Sequence, residues 1–398
     1  MAVQTGRLFA VCLASIGLIS PLAIHLFLPV IPVLKQSFGV SNAQAQLSFS
    51  LALLVMAVST LVYGSLSDRY GRRPVLLSGL ALFLLGGLIG VLADSMPMLL
   101  AGRLVQAVGA GCGTTLVRAI ARDAYGPDKL IQVISYLTMF YTVGPMFAPM
   151  IGGFLVDAFD WRAVFVFSLS AGIVVALGAY FFVPETRPGA KPAPGQGILR
   201  GYIDLFRHPR FTGYSFQPGF STGVFFADAT ASSFVMKEYL QRPASEFGLY
   251  FFLFPAGFFC GNFISSRIGN RIATETMVLT GSIILFLAVL VQASLLVSGH
   301  VNPLTIFLPA FFIPFAQGIS LPYAQSGAMA TIPRLAGTAS GVGIFAQSFG
   351  GAVFAQLYGI FANETLWPMA LVTGTSAVLC LLFGALPYAL RMRERAAS

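Results

Sequence analysis

Apolar residues run along this chain in long blocks separated by short polar connections. Twelve blocks stand out, at 8–33, 46–66, 75–93, 98–119, 132–156, 163–183, 211–236, 247–266, 276–297, 304–330, 338–361 and 368–389. Each holds about 20 residues or more, enough at about 1.5 Å per helical residue to cross a hydrocarbon core of about 30 Å. The pattern predicts twelve membrane-spanning helices. An even number puts both ends of the chain on one side. The first block follows a single Arg7 and is longer than the apolar region of a cleaved signal peptide, so it reads as a retained helix.

Composition leaves no soluble alternative. Hydrophobic residues are 57% of 398 positions and charged residues 9%, more apolar surface than a water-soluble fold can enclose. The 37 Phe and 42 Gly suit lipid-facing bulk and close helix contact respectively. Cys12, Cys112, Cys260 and Cys380 lie far apart in apolar blocks, without the paired spacing of a metal or dithiol site, and read as small core residues. No metal or other cofactor is expected.

The formal charge of +9 falls almost wholly in short connections, which makes it a topology signal rather than a sign of nucleic-acid binding. Arg7, the Arg69 cluster, Arg118, Arg122, Lys129, Arg267, Arg271, Arg334, Arg391, Arg393 and Arg395 share one side. Lys35, Arg162, Lys237 and Arg242 take the other, so both termini are expected in the cytoplasm. The one long connection, 184–210, is rich in Pro and Gly and separates halves at 1–183 and 211–398. Near its end Tyr202, Ile203, Leu205 and Phe206 suit either a short surface helix or a disordered linker.

Between the second and third blocks stands Gly-Ser-Leu-Ser-Asp-Arg-Tyr-Gly-Arg-Arg-Pro, residues 64–74. Three arginines and Asp68 are packed into a connection of about eight residues, a basic turn at a membrane surface. A helix end and a neighbouring arginine there suit Asp68. Two readings are open: a charge cluster that sets topology, or a gate. The second half repeats the pattern at 261–271, with Ser265, Arg267, Gly269 and Arg271 in the places of Ser67, Arg69, Gly71 and Arg73, and Ser266 in place of the acid. Two related halves suit transport through a site between them.

Apart from Arg118 at the end of its block, three Arg, His or Asp residues fall inside blocks. Arg103 in the fourth, followed by Gln106 and Gly109, Gly111 and Gly113, must face the bundle interior and hold a partner, or else bond backbone carbonyls. His25 in the first and Asp228 in the seventh occupy corresponding places in the two halves. Burial disfavours a carboxylate's charged form, so Asp228 is a candidate proton carrier, and an imidazole at His25 is a second. A core histidine bonded in place and an Asp228 near the outer surface are the alternatives. In the fifth block Gly144, Ala148, Pro149, Gly152 and Gly153 mark a kinked face for close crossing. Phe49, Met56, Tyr141, Phe225, Phe226, Gln325 and Gln347, near the middle of facing blocks, are candidates to line a cavity for bulky, partly polar molecules. Packed helix interfaces use the same residue types.

The 64–73 motif matches every strong position of the loop signature between the second and third helices of the major facilitator superfamily, and the chain resembles that superfamily throughout. The resemblance implies alternating access, with Gly64, Asp68, Arg69, Gly71, Arg72 and Arg73 in a cytoplasmic gate. Arg103 resembles the arginine of the fourth-helix motif, which implies a role near proton coupling. The Gly144 to Gly153 pattern resembles the antiporter signature of drug exporters, with Ala148 for one glycine. His25-Leu-Phe-Leu-Pro-Val-Ile-Pro32, Arg122-Asp123-Ala-Tyr125, Phe206-Arg-His-Pro-Arg210 and Gly337-Thr-Ala-Ser-Gly341 together resemble the Bcr/CflA group of bacterial multidrug exporters. That group usually has an aspartate where His25 stands and no acid at the place of Asp228.

The expectation is therefore an all-α membrane protein of the major facilitator fold. It would export small amphipathic compounds from a bacterium in exchange for protons, in the inner membrane and as a monomer. The alternative is a proton-coupled or facilitative carrier for one metabolite. No Gly-xxxx-Gly-Lys-Ser/Thr phosphate loop occurs, and the glycines after Arg103 follow no strand, so an ion gradient rather than ATP should drive it. An enzyme would need clustered His, Asp, Glu or Ser, whereas His25, His208 and His300 are widely separated.

Overall fold

The structure, a computed structural model, describes residues 7–186, 203–332, 335–363 and 365–397. Thirteen α-helices are found among them: α1 (Arg7–His25), α2 (Ile31–Phe38), α3 (Asn42–Tyr70), α4 (Arg72–Val91), α5 (Met96–Ala158), α6 (Trp161–Phe182), α7 (Pro209–Phe234), α8 (Ala244–Phe251), α9 (Leu253–Ile268), α10 (Thr274–Val297), α11 (Pro303–Thr331), α12 (Ala336–Phe361) and α13 (Trp367–Ala397). Among the described residues, ten helical segments are long and apolar enough to cross a membrane, with α1–α2 and α8–α9 each counted as one.

Two further spans come from α5 and α7. Along α1, Arg103 reaches Ala23 and Gly113 lies against Ile16, whereas Gly144 lies against Leu18 and Pro21 and Gly152 against Leu26. The two limbs of α5 thus follow α1 in opposite senses, and the chain reverses between Arg103 and Gly152. The expected break between 98–119 and 132–156 is accordingly a helical bend and not an open loop. At 26 residues α7 is long enough to span, but it is too polar for the ten. Nearly all of its side chains are buried, so protein surrounds the polar ones.

The chain divides into two compact units: Met1–Pro194 with Pro243–Leu249, and Gly195–Arg242 with Tyr250–Ser398. The first packs around Leu13, Ile16, Leu76, Phe83, Leu116 and Ile120, the second around Phe211, Tyr214, Val278, Ile319 and Ala324. Large apolar side chains outside these cores face outward, among them Phe154, Val174, Phe181, Phe259 and Leu308. That surface suits lipid.

Several expectations need correction. The first block is not one helix: α1 stops at His25, a 3-10 turn covers Leu28–Val30, and α2 follows, because Pro29 and Pro32 cannot donate to a continuing ladder. The eighth is broken at Phe252. The eight-residue connection at 64–74 does not exist as a loop, since α3 runs through Tyr70 and only Gly71 separates it from α4. Its other end begins early, where Ser41 and Gln44 form a capping box. Residues 203–206 are helical, the first of the two readings, with Ile203 and Phe206 exposed and Leu205 buried in the second core. Tyr202 and most of 184–210 lie outside the described residues. Cys12, Cys112 and Cys380 are buried, but Cys260 is exposed.

Candidate functional site

Gly71 has φ +95°, a conformation open to glycine, and this lets α3 turn into α4 in one residue. The abrupt start leaves the first amides of α4 unbonded, and Glu185 takes them: its carboxylate accepts from Arg72 N at 3.0 Å and Arg73 N at 3.1 Å. A side chain on Gly71 would strike that carboxylate. Arg72 is buried. Its Nε donates to Asp123 at 2.8 Å, Nη1 to Ser67 at 2.6 Å, and Nη2 pairs with Asp68 at 2.9 Å. Arg73 donates to the Tyr180 carbonyl at 2.7 Å and lies over its ring. Arg69 covers Tyr70, and Gly64 faces Thr115. Asp68 from the preceding turn, and Asp123 and Glu185 from distant parts of the chain, therefore converge on Arg72 and Arg73.

The break in α1 explains Arg103. Phe27 N turns to the Ile24 carbonyl, so the Ala23 carbonyl loses its regular helical donor. Arg103 Nη1 supplies one at 3.1 Å and also reaches Gln106 at 2.9 Å, while Nε donates to the Ser48 carbonyl at 3.0 Å. The guanidinium sits 4.0 Å from the centre of the Phe27 ring. Gln106 passes the chain of bonds to Ser168. His25 is the last residue of α1, half-buried beside this break.

The glycines of the second α5 limb serve the same broken helix. A side chain on Gly152 would collide with the Leu26 carbonyl, and one on Gly144 would press on Pro21. Ala148 is buried, and the Pro149 carbonyl lies against Gly248. Gly153 abuts Ala244, in the segment grouped with the first unit, whose amides at Ala244 and Ser245 donate to Asp157 at 3.1 and 2.7 Å.

In the second unit Asp228 is wholly buried on α7, and neither carboxylate oxygen has a hydrogen-bond partner of good geometry. The Gln292 amide of α10 faces it, with Nε2 given to the Ile306 carbonyl at 3.0 Å. One turn before it, Phe225 meets Phe226, Phe251 and Phe254 edge-on.

The remaining cavity candidates scatter. Phe49 is wholly buried, Met56 packs against the first core, Phe226 is buried, Gln325 is exposed, and Gln347 donates to its own helix at Gly343. The Tyr141 side chain lies outside the described residues. A polar cavity of about 540 Å³ in the second unit is instead lined by His208, Arg210, Tyr214, Glu275 and Glu394 among others. Its charges are paired, Arg210 with Glu394 at 2.5 Å and Arg391 with Glu275 at 3.0 Å.

The repeat at 261–271 keeps a glycine of positive φ and two arginines but not the acid, and its turn is longer, with a 3-10 turn at Gly269–Arg271 before α10. Gly269 has φ +52°, and Tyr323 Oη donates to its carbonyl at 2.6 Å. Ser265 Oγ reaches the Ile319 carbonyl at 3.2 Å. Sequence reasoning missed Asp123, Glu185, Gln292 and Tyr323 as partners. Asp123 stood in a quoted motif, but nothing in spacing ties a residue at 185 to one at 72.

A family model for the Major Facilitator Superfamily matches residues 13–355. The multidrug resistance protein D of Escherichia coli K12 is 32% identical, over 98% of this chain and 96% of its own. A bicyclomycin resistance protein homolog of Haemophilus influenzae is 28% identical over 94% of each. Among solved structures, the D-xylose-proton symporter superposes with a TM-score of 0.77 at 13% identity, over 95% of this chain and 96% of its own. The human organic anion transporter MFSD10 superposes at 0.67 with 21% identity, over 96% and 99%. With two arginine-clamped or tyrosine-clamped turns in corresponding places, a multipass all-helical fold and these relatives along its length, the chain belongs to the Major Facilitator Superfamily, a family of transporters for small molecules.

Proposed function

We propose that this protein is a secondary antiporter of the bacterial inner membrane that exports small amphipathic organic compounds in exchange for protons. Both termini face the cytoplasm, and the protein works as a monomer. The halves at 1–183 and 211–398, joined by 184–210, carry out alternating access. The names of the relatives, which speak of bicyclomycin and multidrug resistance, support the export of drugs. The antiporter-like face at Gly144, Ala148, Pro149, Gly152 and Gly153 supports the direction.

The observation that carries the proton reading is Asp228, a carboxyl group wholly out of water that no donor of good geometry meets, with only the Gln292 amide facing it. Charge there is costly, so the group takes a proton while closed off and gives it up when water or a donor arrives. His25, beside the break in α1, is the second candidate. Arg103 acts by holding that break. Gly64, Asp68, Arg69, Gly71, Arg72 and Arg73 form the cytoplasmic gate, and Phe49, Met56, Tyr141, Phe225, Phe226, Gln325 and Gln347 remain the candidates to meet substrate.

The test is uptake of fluorescent organic cations into inverted membrane vesicles under an imposed proton gradient. Native uptake should collapse with an uncoupler, and Asp228→Asn should abolish it. Gradient-driven uptake that survives Asp228→Asn would move the carrier to His25. No gradient-driven uptake across a chemically diverse panel would favour a carrier for one metabolite.

A further inference from the structure

Helix α7 carries its unpartnered polar groups in a row. Among the described residues, Gln217 Oε1, Ser221 Oγ, both oxygens of Asp228 and Ser232 Oγ are buried without a hydrogen-bond partner. At 100° per residue, positions 217, 221, 228 and 232 fall within about 60° of one another around the helix. They share one face. Two other polar groups on α7 are satisfied, since Thr222 accepts from Gln317 at 2.8 Å and Thr230 donates to the Phe226 carbonyl at 2.8 Å, while Arg210 Nε in the first turn is not. Ser215 also lacks a partner but points to the opposite side.

Buried polar groups are normally bonded to protein or to ordered water, and a water needs two or more such groups. A helix in a membrane protein has no reason to align four orphans on one face for packing alone. Asp228 and Ser232 are one turn apart, about 6 Å along the axis, the reach of a single bridging water. Ser232 lies on the short side, two residues before α7 ends and gives way to a π-helical turn at Val235–Tyr239 that carries Lys237 and Glu238. On the long side, Ser221 is about 10 Å away, with Phe225 between, and Gln217 lies a turn further on. Gln217 Nε2 is there bonded to Ser282 and Ser320, both at 3.2 Å.

We propose that this face of α7 is the proton path to Asp228, and that the Ser232 hydroxyl is its relay toward the near end of the helix. The inference rests on the reading of Asp228 as the proton carrier. Ser232 passes a proton by donating its own to one neighbour while accepting another, so nothing but the proton's position changes. Ser221 and Gln217 continue the path on the far side, where the Phe225 ring interrupts it. Ser232 is thus a positioning and relay residue and does not itself hold the charge.

The test needs no substrate. Purified full-length protein is mixed rapidly into D2O, and the carboxyl band that vanishes in Asp228→Asn is followed by infrared spectroscopy as it exchanges. Ser232→Ala should slow that exchange about tenfold, the effect of one lost hydrogen-bonded relay. Ser232→Thr, which keeps the hydroxyl, should restore it. Exchange at the native rate in Ser232→Ala overturns the path while leaving Asp228 as carrier. A slow exchange that Ser232→Thr fails to restore, with the variant still monodisperse, overturns the hydroxyl relay. If no carboxyl band depends on Asp228 at any pH where the protein stays folded, the carrier reading itself falls.

Discussion

Arg103 and Asp228 are both ionisable, both fully inside the protein and both on helices of the transport fold, yet their surroundings are opposites. Arg103 meets two backbone carbonyls, the Gln106 amide oxygen and the face of Phe27, and only its Nη2 is left without a hydrogen-bond partner. Asp228 meets no donor of good geometry. A buried charge matched by acceptors holds structure together, and here it mends a helix that prolines have broken. A buried acid left unmatched costs stability, and the change of protonation proposed for Asp228 would relieve that cost. The lesson is that burial of an ionisable group does not assign it a role. Its partners do.

The widest separation between the two should appear in stability. Arg103→Leu leaves the Ala23 carbonyl and the Gln106 amide oxygen buried without that donor and should destabilise the protein by about 2–5 kcal/mol. Asp228→Asn should be neutral or should stabilise by about 1–3 kcal/mol, since an amide is cheaper to bury than a carboxylate. Denaturant titration in detergent micelles measures both. If the two variants lose stability equally, the contrast fails.

A second comparison, between the turns at Gly71 and Gly269, should give smaller effects. Both glycines adopt positive φ and both turns end a span, but one is clamped by carboxylates and the other by a phenol. Glu185→Gln weakens the bonds to the first amides of α4 and should cost about 1–2 kcal/mol, more at low salt than at high. Tyr323→Phe removes one neutral hydrogen bond, should cost about 1 kcal/mol, and should show no salt dependence. The same titration at two ionic strengths separates them. Equal salt dependence would mean that the first turn is not held by charge.

Much of this was legible in the sequence because its signals are local. Hydrophobic block length predicts spans: the block at 276–297 lies within α10, and that at 75–93 overruns the end of α4 by two residues. The motif at 64–73 marks a turn because Gly71 must be glycine, and the repeat at 261–271 marks its partner for the same reason. The site was less legible. Asp68 and Arg72 are four residues apart and were readable as a pair, but Asp123 and Glu185 join Arg72 and Arg73 only through folding. The cavity candidates were chosen by residue type at mid-block, and Phe49 and Gln325 illustrate the weakness: type and depth do not say which face of a helix points inward.

By itself, then, the sequence determined the medium, the fold class and the places where helices turn, because length, composition and glycine geometry act within a few residues. Tertiary structure alone decided that Arg103 fills the gap where Pro29 and Pro32 break the first block. It also decided that Glu185 caps α4 and that four orphaned polar groups line one face of α7. These depend on which groups are left without partners once every helix is packed, a property of the whole arrangement and of no single segment.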